Sequence, residues 1–189
     1  NALVGWMRGG MAMVNVLASM FFGGISGSPT ADVASLGPIE IEMMDKSGYD
    51  RDFSTGLTMS SAIQGLLIPP SHNMVIYCMA AGGVSVGQMF MGGIIPGLIM
   101  GLLLIITCFI KNRKTVLKTL PKASWGERWA AFKDAFWGLM MPVIILGGIY
   151  GGFFTPTEAA AVSAVYGLLV GIFIYRSITL QVFKEIVMD

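Results

Sequence analysis

The chain has 189 residues, of which 54% are hydrophobic and 12% charged, against roughly 25% charged in ordinary soluble domains. That balance points to an all-α polytopic membrane protein in contact with the lipid bilayer. A net charge of +1 gives no electrostatic support for nucleic-acid binding, and none is expected.

The first informative stretch is Phe21-Phe22-Gly23-Gly24-Ile25-Ser26-Gly27-Ser28-Pro29-Thr30-Ala31-Asp32. The apolar runs on either side, Met11 to Phe22 and Ala31 to Met44, hold 12 and 14 residues. A membrane-spanning helix needs about 20. Two half-length helices meeting at a Gly/Ser/Pro tip predict a re-entrant helical hairpin over about 10–44. Non-helical backbone survives at membrane depth only where protein or a water-filled cavity surrounds it.

A polar connector follows, Asp45 to Asp52, with a Ser47-Gly48 turn. Phe53 to Ile68 has a helical pattern that stops at Pro69-Pro70, since neither proline has an N–H and the second disfavours αR at the first. Apolar residues resume at Met74. The expectation is one crossing over about 53–81, broken at Ile68-Pro69-Pro70-Ser71 and closed by Gly82-Gly83. Met89 to Ile110 is an uninterrupted 22-residue span. Lys111 to Lys133 carries seven bases (Lys111, Arg113, Lys114, Lys118, Lys122, Arg128, Lys133) and one acid, Glu127. The positive-inside bias places this loop in the cytoplasm. Trp125 to Trp137 mixes tryptophan with charge and suits a helix lying at the membrane interface. Phe136 to Phe154 spans again. Thr155-Pro156-Thr157-Glu158 then predicts a capping box opening the last span, which ends at Arg176. With the basic loop inside, the hairpin opens to the cytoplasm with Arg8 at its base, and Met89 lies outside. The chain reads as three parts: 1–87 (hairpin and broken helix), 88–134 (a span, the basic loop and the interfacial helix) and 135–189 (two further spans). It begins without Met and reads as part of a longer protein.

Cys78 and Cys108 fall near opposite faces on this topology, too far apart to be bridged, so both are expected as buried packing residues. The methionines, among them Met11, Met13, Met20, Met43 and Met44, read as packing and lipid contacts rather than a metal box.

Tip and break are expected to meet at mid-membrane. Half-helix N-termini suit a carboxylate, and unwound carbonyls suit Na⁺. Ser28 can cap the helix that starts at Pro29, and Ser71 the one that carries Asn73. These serines then either only cap or also bind. Asp32 is read as the only acid deep in the hairpin. It is either functional at that depth or placed to favour the helix dipole. A rival reading takes Gly24-Ile25-Ser26-Gly27 as the Gly-x-Ser-Gly of a rhomboid-like intramembrane serine protease, with a Ser26/His72 dyad. A passive channel is a further alternative, less suited to hairpins that close at mid-depth.

The residues Gly24-Ile25-Ser26-Gly27-Ser28-x-x-Ala31-Asp32-x-Ala34-x-Leu36-Gly37 resemble the hairpin of the large membrane subunit (DctM-type) of TRAP (tripartite ATP-independent periplasmic) transporters. Gly48-Tyr49-Asp50, Ile68-Pro69-Pro70-Ser71 and Gly151-Gly152-x-Phe154-Thr155-Pro156-Thr157-Glu158-Ala159-Ala160-Ala161-Val162 follow in that family's order. The resemblance implies a subunit of a secondary transporter, not an enzyme, from the ion transporter superfamily, with inverted repeats and an elevator motion. It implies Na⁺ as coupling ion and no other cofactor. The implied cargo is an organic acid such as a C4-dicarboxylate, sialic acid or another sugar acid. The implied partners are a periplasmic binding protein and a small membrane subunit. The implied location is the cytoplasmic (inner) membrane of a bacterium or archaeon, crossed several times. The hairpin and broken helix would move, and 135–189 would begin the second repeat. On this basis Na⁺ is expected at Ser26, Gly27, Ser28, Pro69, Pro70 and Ser71. Substrate is expected at Ser28, Asp32, Ser71, His72 and Asn73.

Overall fold

The structure, a computed structural model, describes residues 4–7, 9–113 and 122–178. Arg8, Lys114, Lys118 and the chain beyond 178 lie outside the described residues. The described residues form eight α-helices: α1 Gly10–Ser26, α2 Pro29–Ser35, α3 Gly37–Lys46, α4 Arg51–Ala62, α5 His72–Ala81, α6 Val86–Asn112, α7 Trp125–Tyr150 and α8 Pro156–Leu169. A 3-10 turn, Ile63–Leu66, follows α4, and a π-turn, Val170–Ile174, follows α8. Among the described residues no strand occurs. Among the described residues three helical stretches are long and apolar enough to cross a membrane: Val86–Asn112, Trp125–Tyr150 and Pro156–Ile174. Contacts divide the chain into two compact units, Asn1–Phe132 and Lys133–Asp189.

In the first unit α1 packs on α4, α6 and the 3-10 turn, and α3 packs on α4. The core is sulfur-rich: Met11, Ala12, Met13, Val16, Met44, Tyr49, Leu57 and Cys108 are buried together. Flexible Met side chains fill gaps between closely packed helices. Both cysteines are free and buried, and no His/Cys/Asp/Glu metal cluster occurs among the described residues.

Several boundaries differ from the expectation. α1 is 17 residues long and runs through Gly23, Gly24 and Ile25 to Ser26, so the non-helical tip shrinks to Gly27 and Ser28. Gly27 ends α1 with φ +61°, its N–H donating to the Gly23 carbonyl at 2.8 Å, a left-handed cap that costs glycine little. The second arm is two helices, not one. Pro38 lacks the N–H that a continuous helix would need, and the chain restarts after Leu36. The expected interfacial helix and the span after it are one continuous helix, α7. No breaker stands between Trp125 and Trp137, so turn follows turn without interruption. α7 stops at Tyr150 rather than Phe154, where Gly152 takes φ +72° and the N–H groups of Phe153 and Phe154 return to the Gly148 carbonyl. The expected capping box is present: Thr155 Oγ1 accepts from Glu158 N–H at 3.3 Å, and the Glu158 carboxylate accepts from Thr155 N–H at 2.8 Å.

Candidate functional site

Two of the breaks in the first unit lie between α1 and α2 and between the 3-10 turn and α5. The structure brings the two breaks together. A Cβ on Gly27 would lie 2.6 Å from the Pro70 carbonyl oxygen and 3.1 Å from the His72 nitrogen. A Cβ on Gly23, one turn earlier, would lie 2.7 Å from the Gly65 Cα. Two glycine contacts therefore press the tip backbone directly against the backbone of the broken helix, and any side chain would hold them apart.

Within the tip the serines bond locally. Ser26 Oγ accepts from Ser28 N–H at 3.3 Å and lies 3.4 Å from the Ser28 carbonyl. Ser28 is the N-cap of α2, accepting from Ala31 N–H at 3.4 Å, and its hydroxyl is 3.0 Å from that of Thr30. The reading of Ser28 as a cap holds. That of Ser71 does not: it stands at the N-cap position of α5 but makes no capping bond. Its hydroxyl is fully buried and without a partner. Pro69 is buried, whereas His72 and Asn73 are exposed at the start of α5. Among the described residues no hydrogen bond joins Ser26 to His72.

Asp32 lies in the first turn of α2, 1% exposed, beside Ser19 of α1. Neither carboxyl oxygen has a hydrogen-bond partner. The expectation that Asp32 is the only acid deep in the hairpin is corrected. Glu40 is also buried, with both carboxyl oxygens unpartnered. The periodic signal was Gly37, Glu40 and Met44, the residues α3 buries, at the three- and four-residue spacing of one helix face.

A second group was missed. Asn15 donates to Thr58 Oγ1 at 2.6 Å and accepts from Ser61 Oγ at 2.8 Å. Ser61 also lies 3.2 Å from Ser19, and Gln64 donates to the Ser61 carbonyl at 3.1 Å. All five residues are buried. They form a polar seam between α1 and α4 that leads to the level of Asp32. The available signal was polar residues at helical spacing, Asn15 with Ser19 inside the apolar α1 and Thr58 with Ser61 on the more polar α4.

These features define a class: a helical membrane protein whose broken helices carry backbone and hydroxyl groups into its packed interior. The family follows from comparison. The profile of the family described as tripartite ATP-independent periplasmic transporter, DctM component, matches residues 1–189, and the chain belongs to that family. It is 52% identical over 93% of its length to the C4-dicarboxylate TRAP transporter large permease protein DctM of Vibrio cholerae, covering 38% of that protein. It is 46% identical over its whole length to the DctM protein of Pseudomonas aeruginosa, covering 44%. The sialic acid TRAP transporter large permease protein SiaM of Vibrio cholerae is 45% identical, with the same coverage. The chain thus spans about four-tenths of the length of these relatives.

Proposed function

We propose that this chain is part of the large membrane subunit of a Na⁺-coupled importer of an organic acid. The single observation that carries the reading is the contact of the Gly27 tip with the Pro70–His72 break, in a chain of the DctM family. The names of the relatives support the cargo class, since they cover C4-dicarboxylate, sialic acid and ectoine transporters. In this reading a periplasmic binding protein delivers the substrate and a small membrane subunit completes the complex in the cytoplasmic membrane. The re-entrant hairpin (10–44) and broken helix (53–81) belong to the domain that moves in an elevator step, and 135–189 begins the second repeat.

Na⁺ is assigned to the hydroxyls and carbonyls of Ser26, Gly27, Ser28, Pro69, Pro70 and Ser71. The buried, unpartnered Ser71 hydroxyl fits such a ligand, because a buried polar atom is otherwise left without compensation. The substrate carboxylate is assigned to the start of α5, at His72 and Asn73, with Ser28 and Ser71 on the site's inner side. Asp32, enclosed in this structure, is assigned to the same substrate site, on its inner side with Ser28 and Ser71.

The test is uptake by the full-length permease with its partners, using a panel of radiolabelled organic acids with and without a Na⁺ gradient. Na⁺-dependent uptake of at least one acid is expected. Ser26→Ala and Ser28→Ala should each raise the Na⁺ concentration needed for half-maximal uptake. Wild-type Na⁺ dependence in both variants would place the ion elsewhere.

A further inference from the structure

In the Asn1–Phe132 unit, three cationic side chains lie on aromatic rings. Lys111 Nζ, in the last turn of α6, is 4.8 Å from the centre of the Phe53 ring. Lys122 Nζ is 5.1 Å from that of Trp6, and the Arg128 guanidinium is 5.6 Å from that of Trp125. These distances permit cation–π attraction. Packing gathers the first two pairs. Gly9, three residues from Trp6, lies against Cys108 and Asn112 of α6. Tyr49 stacks on Phe53 at 6.2 Å, and its hydroxyl accepts from Ala12 N–H at 3.4 Å.

Among the described residues none of Lys111, Arg113, Lys122 and Arg128 forms an ion pair, whereas Lys46 pairs with Glu42 and Arg51 with Asp45. The other acids nearby are already engaged. Asp50 accepts from Phe53 N–H at 3.0 Å, and Glu127 from Ser124 N–H at 2.6 Å. Asp52 sits in the first turn of α4, where the helix dipole favours it. Next to these cations Trp125 is 84% exposed and Trp129 60% exposed. Exposed tryptophan beside bases lacking counter-ions is the pattern of a membrane–water interface facing anionic headgroups.

We infer that Lys111, Lys122 and Arg128, with Trp125 and Trp129, form a binding surface for anionic phospholipid, phosphatidylglycerol being the reference headgroup. The phosphate supplies the acceptors that the cations lack, and the acyl chains lie along the tryptophans. A zwitterionic headgroup brings its own cation and gives no net attraction. Free phosphate offers nothing to the indole rings. The inference rests on the membrane assignment and not on the identity of the cargo.

The test uses the full-length permease with its small subunit in neutral detergent. Native mass spectrometry counts the lipid retained on titration with phosphatidylglycerol, phosphatidylcholine or inorganic phosphate. Phosphatidylglycerol should be retained preferentially, and the preference should fall about fivefold for each cation removed in Lys122→Gln and Arg128→Gln. Lys46→Gln, whose base is already paired, should change nothing. Retention by the unsubstituted protein should also fall as salt is raised, which gives a readout independent of any variant. The inference is overturned by undiminished retention in the double variant, by equal retention of phosphatidylcholine, by indifference to salt, or by displacement with inorganic phosphate. Uptake measured after the same complexes are reconstituted into sealed vesicles keeps the two readings separable: failure of Na⁺-driven uptake in the unsubstituted complex counts against the transporter assignment and leaves the lipid result standing.

Discussion

Asn15 bonds to both Thr58 and Ser61 of α4, so Asn15→Ala removes two buried interhelical hydrogen bonds, although Ser61 keeps the Thr58 carbonyl at 3.0 Å and the Ser19 hydroxyl at 3.2 Å. Interhelical hydrogen bonds in membrane proteins contribute modestly, and the expected loss is about 1–2 kcal/mol. Denaturant titration of the full-length permease checks this, and an unchanged midpoint would mean that the seam is stabilising nothing. Gly27 is the more sensitive position. Any Cβ meets the Pro70 carbonyl at 2.6 Å, and φ is +61°. Gly27→Ala should therefore abolish uptake while leaving expression near normal, because the damage is confined to one tip. Normal uptake in this variant would show that the tip and break need not touch. Ser26 offers a check on the chemistry of the same turn. Its hydroxyl is spent on the Ser28 backbone, and among the described residues no base is hydrogen-bonded to it. A fluorophosphonate probe should give no Ser26-dependent labelling, and labelling lost in both Ser26→Ala and His72→Ala would favour the protease reading.

At the scale of elements, α6 carries Gly93, Gly97 and Gly101 four residues apart along one face. That face accepts the end of the broken helix: Gly93 lies under the Leu67 carbonyl and Met74, Gly97 under Ile68, and Gly101 under the Gln64 side chain. Small residues at this spacing let helices approach closely in a membrane. The three should not tolerate alanine equally. At Gly93 the obstacle includes a backbone carbonyl, which cannot swing aside. At Gly101 it is the Gln64 Oε1 at 2.6 Å, the far end of a flexible side chain. Gly93→Ala should thus lower thermal stability of the permease more than Gly101→Ala, and the reverse order would refute this account of the packing. The same contrast explains part of what the sequence could and could not disclose. Ser28 and Thr155 were legible as caps because the bond lies within three residues. Ser71 looked equivalent, but its hydroxyl faces inward and bonds to nothing described, which local spacing does not reveal.

For the whole molecule, the proposed sidedness rests on the Lys/Arg excess between Lys111 and Lys133. Single cysteines at Ser47 and Ser85, in a background lacking Cys78 and Cys108, test it with a membrane-impermeant thiol reagent on intact cells. Position 85 should label and position 47 should not. A cysteine at Thr30, exposed beside the tip, should change accessibility when Na⁺ and substrate are supplied, since ligands shift conformers only by binding them unequally. Constant accessibility in a transport-competent complex would make the hairpin a static element. What the sequence determined by itself were the features that depend on near neighbours or on composition: the membrane class, the two interruptions, the long apolar helices, the Ser28 and Thr155 caps and the family motifs. Tertiary structure decided what depends on residues far apart in the chain. It turned Glu40 and Asp32 inward, joined Asn15 to Thr58 and Ser61, and set the glycines at 23 and 27 against the broken helix. A three-residue polar spacing looks the same on a helix facing water as on one facing another helix, and only packing distinguishes them.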